Sequence, residues 1–173
     1  MLRLLRMLHA INRIAPYLFL LTGLIVVLVY FFLGHYAYPS ADDFCMASGV
    51  RDKGLLPHLS HHYIEWSGRY ASNAFYALYP TLFGFADGYQ LMPVGLILLL
   101  ILTMTFLLAT LFSLPMRNPV ILLMSLGFII VFILGMRDTA SSLYWMAGAM
   151  TYQAANILLL VMLGLIIRLL DLQ

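Results

Sequence analysis

The chain has 173 residues, 64% of them hydrophobic and 9% charged, with a formal net charge of +2 and a mean hydropathy of +0.97. A water-soluble domain of this length cannot hide so much apolar surface, since its exterior needs charge, so the composition implies an all-α, polytopic membrane protein. The small positive charge, without a basic run to follow a phosphate backbone, excludes nucleic acid as a partner, and the single Cys45 excludes an intramolecular disulfide.

In chain order, Arg3, Arg6 and Arg13 precede an apolar run over residues 14–34. At about 1.5 Å per residue this run is long enough to cross the hydrocarbon layer. Pro16 falls in its first turn, where a missing N–H does no harm. The competing reading is a signal peptide cleaved within 37–41, but the run exceeds a typical signal core and reads as an uncleaved anchor. Further spans are expected over 89–112, 119–135 and 149–170, the third being short for a full crossing. One membrane domain, 1–173, thus holds four transmembrane helices and a long loop over 35–88. The clustered N-terminal arginines place both ends in the cytoplasm and the loop outside. The chain stops soon after the fourth span, as a very small membrane protein or the N-terminal fragment of a larger one would.

The long loop concentrates the polar chemistry. Ser40 with Asp43 three residues on is a capping-box-like start, and Lys53 with Gly54 closes a helix expected over 41–53. Asp42 and Asp43 read as helix caps. Their position just past a span, at a helix N-terminus, also suits a general base or a metal ligand. A second amphipathic helix is expected over 58–79, with Leu59, Tyr63, Trp66, Tyr70, Ala74 and Ala77 on one face, lying on the membrane interface or packed on the spans. Its other face offers His61, His62, Glu65, Arg69 and Asn73. Glu65 and Arg69, four apart, are spaced to pair, and an arginine beside a membrane is also suited to a lipid phosphate. His58 and His62, with Glu65 a turn on, have a spacing compatible with a divalent metal. The hydrolase-type carboxylate after the first histidine is missing, so they read as interfacial histidines, without a cofactor, ahead of a zinc site.

Near the fourth span, Tyr144, Trp145, Tyr152, Gln153 and Asn156 put aromatic and amide groups at one mouth. Read plainly, they form an aromatic belt with ordinary interhelical hydrogen bonds. Together they also have the make-up of a sugar site sharing a cavity with the acidic pair.

Pro39-Ser40-Ala41-Asp42-Asp43-Phe44, then Trp66-Ser67-Gly68-Arg69-Tyr70, then Tyr144-Trp145-Met146-Ala147-Gly148-Ala149 with Tyr152, in that order, resemble membrane glycosyltransferases of the GT-C class, as represented by bacterial membrane proteins grouped with it. The resemblance implies residence in the bacterial cytoplasmic (inner) membrane and transfer of a sugar from a polyprenyl-phosphate carrier to a glycan or lipid acceptor of the cell envelope, on the outer face. It implies Asp42 or Asp43 as the base that takes the acceptor's proton. Arg69 or Arg137 would steady the departing phosphate; Trp66, Tyr70 and Trp145 would shape the sugar pocket, with Tyr144, Tyr152 and Asn156 as further substrate-binding candidates. Four spans are fewer than that class carries, which implies further transmembrane helices or a partner subunit. The alternative is a non-enzymatic four-span protein, such as a lipid-carrier flippase or accessory subunit, against which the long loop argues. A transporter or channel ranks last, since the spans lack intramembrane charges and paired Gly/Pro breaks.

Overall fold

The computed structural model describes residues 2–83 and 87–171, with side chains described over 13–79 and 88–171. The side chains of Arg3, Arg6 and Asp87, on which the orientation reading drew, lie outside the described residues. Seven α-helices and one short π-helical segment make up the described regular structure, and no strand occurs among the described residues. The helices are α1 (Leu2–Gly34), α2 (Asp42–Lys53), α3 (Leu55–Glu65), α4 (Tyr70–Phe83), α5 (Asp87–Leu111), α6 (Pro119–Leu134) and α7 (Met146–Asp171), with the π segment at Ala140–Tyr144 before α7.

Three helices, α1, α5 and α7, contain stretches long and apolar enough to cross a membrane. The expected third span forms as α6, but its 16 residues reach only about 24 Å, short of the roughly 30 Å hydrocarbon layer. Its start is fixed by Pro119 in the first turn and by the Asn118 side chain, which accepts the Val120 N–H at 2.9 Å. At the other end of the chain, α1 starts well before residue 14, so Pro16 sits inside the helix and not in its first turn. It removes one backbone hydrogen bond there.

The bundle is organised on α5, which packs against α7, α6 and α1. Its apolar stretch is 39% buried, against 17% for α1 and 11% for α7, so α5 is the central helix and the other two present most of their surface outward. Tyr89, Met92, Ile97 and Leu100 of α5 meet Ile129 and Ile133 of α6 and Met146 and Ala149 of α7 in one core. Two close approaches, one between α1 and α6 and one between α5 and α7, fall at glycines. A Cβ at Gly23 of α1 would press on Leu126 and Ile130 of α6, and one at Gly164 of α7 would press on the Phe106 ring of α5.

The loop region departs from expectation at one place. Helix α2 forms nearly as read, ending on Gly54 at φ 83 with the Gly54 N–H donating to Val50 O at 2.9 Å. The single helix expected over 58–79 is instead two, α3 and α4, broken at 66–69. The N–H groups of Trp66 and Ser67 both donate to His62 O, ending α3, and Ser67-Gly68 is a poor pair for continuing a helix. The break undoes the expected single face: Ala77 turns into the core while Trp66 stays 83% exposed. It also removes the i,i+4 register for Glu65 and Arg69. The only ion pair among the described residues is the exposed Arg51–Asp52 contact at 2.9 Å.

The π segment closes the bundle. Tyr144 donates its hydroxyl to Tyr30 O of α1 at 2.9 Å, and Trp145 N–H donates to Ala140 O before α7 begins, three residues ahead of the expected start. Gly148 lies directly on this turn, so that a Cβ there would collide with the Ser141 backbone carbonyl. Gly148→Ala should therefore destabilise by about 1–3 kcal/mol, as overpacking against an unyielding neighbour does. Gly95→Ala, with nothing within 4 Å of the new methyl, should be neutral or gain up to about 1 kcal/mol of helix propensity. Unfolding midpoints of the two variants in mixed detergent micelles check this; equal midpoints would contradict the packing described.

Candidate functional site

Consecutive residues on an α-helix point about 100° apart, so Asp42 and Asp43, both in the first turn of α2, cannot share a direction. The structure separates them. Asp42 is exposed and lines a cavity, whereas Asp43 is 1% exposed and fully engaged. Its Oδ1 accepts the Tyr76 hydroxyl at 2.6 Å; its Oδ2 accepts the Tyr89 hydroxyl at 2.7 Å and the Ser40 N–H at 2.8 Å. The Ser40 contact is the carboxylate half of the expected capping box. The residue at the N-cap itself is Ala41, held at φ 33, ψ −97, a region costly for a side chain larger than glycine's.

Tyr89 extends the network: its hydroxyl oxygen accepts the Met146 N–H at 2.9 Å, so the Asp43 carboxylate reaches the start of α7 through one intervening hydroxyl. No cation contacts Asp43 among the described residues. Its negative charge is placed instead at the N-terminus of its own helix and near that of α7, where the helix dipoles favour an anion. Burial raises the Tyr76 hydroxyl far above its ordinary value, with the hydrogen bond to Asp43 and the charges of Asp43 and Asp42 adding to the effect. Tyr76 is thus held as a proton donor.

On the other side of Tyr76 lies a cavity of about 620 Å³. Asp42 reaches it from α2, Trp66 and Arg69 from the α3–α4 break, Asn73 from α4, and Trp145 and Tyr152 from the start of α7. The break that sequence periodicity missed is what brings Trp66 and Arg69 to its wall. Three side-chain nitrogens on this wall, Trp145 Nε1, Asn73 Nδ2 and His62 Nδ1, are buried and have no hydrogen-bond partner among the described residues. Buried polar groups are normally satisfied. The indole and amide N–H groups suit a ligand rich in oxygen acceptors.

The remaining expected site residues lie elsewhere. Tyr70 is exposed beside the corner, edge-on to Tyr63 with ring centroids 6.4 Å apart. Tyr144 lines a separate, apolar groove with Tyr30, Leu33 and Tyr36. Asn156 donates to Gln153 Oε1 at 3.2 Å, one turn beyond Tyr152 on α7. Arg137 is exposed in the connection after α6, next to Asp138, whose carboxyl is held below its usual range by hydrogen bonds from Ser141. Against the expectation of a shared pocket, these four do not line the cavity. Sequence reading passed over Tyr76, whose only signal is a hydroxyl-bearing ring between Phe75 and Ala77, and Tyr89, which reads only as the start of a span.

His58 and His62 pack as a pair. His58 is buried, its Nε2 lies 3.2 Å from Met46 Sδ, and its ring stacks at a tilt on His62 with centroids 4.5 Å apart. No group of three His, Cys, Asp or Glu side chains converges as a metal site among the described residues. Comparison with protein-family models, with curated proteins and with solved structures finds no match.

The two acids should behave differently on removal of charge. Asp43→Asn presents an amide N–H₂ to hydroxyl and N–H donors and should cost about 2–3 kcal/mol, whereas Asp42→Asn should stay within about 0.5 kcal/mol. Unfolding titrations of both variants measure the difference, and a tolerated Asp43→Asn would contradict the network. The histidines generate a pH dependence. Burial first, then neighbouring positive groups, lowers His58 and His62 below the ordinary 6.5. The unfolded chain takes up protons before the folded one, so stability is complete above pH 6.5 and should fall as pH drops below it. His58→Phe should flatten that decline in the same titrations, and an unchanged slope would count against it.

Proposed function

We propose that the chain, alone or as part of a larger assembly, is a membrane glycosyltransferase that moves a sugar from a polyprenyl-phosphate carrier to a cell-envelope acceptor. The reading rests on the resemblance of the ordered motifs and on one observation in particular. Asp42, Arg69, Trp66, Trp145 and Tyr152, from three separate parts of the chain, line a single cavity. Its volume falls in the range of small-molecule sites.

Asp42 is the base in this scheme. Its carboxylate takes the proton of the acceptor hydroxyl as the oxygen attacks the anomeric carbon. The bond from that carbon to the carrier phosphate oxygen breaks with inversion, and the phosphate leaves with the electron pair. Arg69 neutralises the charge that develops on it. Trp145 Nε1 and Asn73 Nδ2 donate to the sugar hydroxyls, with Trp66 at the rim of the pocket. Asp43, locked by Tyr76 and Tyr89, positions α2 without touching substrate. Arg137, Tyr70, Tyr144 and Asn156 have no part in this scheme. The helix α6 completes a fourth crossing, with the N-terminus in the cytoplasm and the cavity on the outer face of the bacterial inner membrane.

Sugar transfer from a polyprenyl-phosphate donor, measured in membranes carrying the full gene product, tests the assignment. Asp42→Asn should lower the rate by about 10²–10⁴-fold, the usual weight of a general base, with little change in stability. Undiminished transfer by this variant would remove Asp42 from the chemistry. Donor binding without any transferred product would point to carrier translocation instead.

A further inference from the structure

The corner between α3 and α4 exposes apolar surface out of keeping with a loop in water. Leu56, Ile64, Trp66 and Tyr70 are 76%, 75%, 83% and 73% exposed, and Tyr63 lies against Tyr70 beside them. The helix break assembles this patch from two elements.

Its place on the bundle follows from α7. That helix has 26 residues, about 39 Å, which exceeds the roughly 30 Å hydrocarbon layer. Its last turns carry Arg168 and Asp171 and its first turns Thr151, Tyr152 and Gln153, so the excess at this end is polar and aromatic. Tyr152 lies six residues into α7, about 9 Å along it, within the polar and aromatic first turns. Trp66 and Arg69 line the same cavity as Tyr152, and α4 packs along α7. The corner therefore lies beside the first two turns of α7, from Trp145 to Tyr152.

Backbone hydrogen bonding agrees with that placement. Away from water a non-helical turn needs its N–H groups satisfied by protein. At the corner, Trp66 and Ser67 donate to His62 O, Tyr70 to Gly68 O, and Arg69 to Ser67 Oγ. Tryptophan and tyrosine are the residues that favour the interfacial layer.

We propose that the α3–α4 corner is inserted into the interfacial layer of the bilayer, with Leu56, Ile64 and Trp66 in contact with lipid. The partner of this surface is membrane lipid, the same bilayer crossed by α1, α5 and α7.

The chain has two tryptophans, so Trp145→Phe leaves Trp66 as the sole indole reporter. In phosphatidylcholine vesicles, lipids brominated near the headgroup end of the acyl chain should at least halve its emission. Bromination near the chain terminus should quench less, and aqueous iodide should have little effect. Quenching by iodide with none by brominated lipid overturns the proposal. If Trp145→Phe does not fold, Ile64→Cys in a Cys45→Ser background carries an environment-sensitive fluorophore instead. Blue-shifted emission in vesicles supports insertion, and emission like that of the free dye in water refutes it. Both readings detect lipid contact alone, so their outcome is separate from whether a sugar is transferred.

Discussion

Everything at the loop end of this bundle is referred to one carboxylate. Asp43 is taken out of water with no cation beside it among the described residues, an arrangement tolerable only when hydrogen bonds and dipoles replace the lost solvent. Tyr76, Tyr89 and Ser40 supply the hydrogen bonds, and the helix starts supply the field. Because each donor belongs to a different segment, satisfying the carboxylate fixes α2, α4, α5 and, through Tyr89, the first residue of α7 relative to one another. The loop helices also contribute Met46, Tyr76 and Ala77 to the apolar core. Polar geometry and side-chain packing therefore hold them together.

The same constraint sorts the acidic pair into different tasks. Turning Asp43 inward obliges Asp42, a fraction of a helical turn away, to face the cavity, where it meets groups from α4 and α7. The strained Ala41 that precedes them reflects how tightly the chain is drawn to make both placements possible. A neighbouring pair that looks redundant in sequence is in this way divided between holding the framework and facing the open site.

Part of this was legible in the residues. Unbroken apolar runs announced α1, α5 and α7, and α2 could be bounded from its acidic start and Gly54, because those signals are local. The length of α6 could be counted, and its shortfall was visible. The break at 66–69 was not legible: Ser67 and Gly68 each cost a helix only up to about 1 kcal/mol, and packing of α4 along α7 decides the matter. The partners of Asp43 lie 33 and 46 residues away, a distance at which no spacing rule operates. The helical angle between Asp42 and Asp43 makes them part, and nothing local says which turns inward. The π turn left no mark in Ser141-Ser142, and with it went the separation of Tyr144 from Trp145.

The seat of Gly148 on the Ser141 carbonyl carries a mechanical consequence. With α7 pressed onto that turn and tied through Tyr144 to α1, the side of the cavity bearing Trp145 and Tyr152 is stiff. The opposite side carries Trp66 and Arg69 on a four-residue bend closed through its own hydrogen bonds. One wall of the chamber is thus set by a helix seated on a backbone carbonyl, the other by a self-bonded turn.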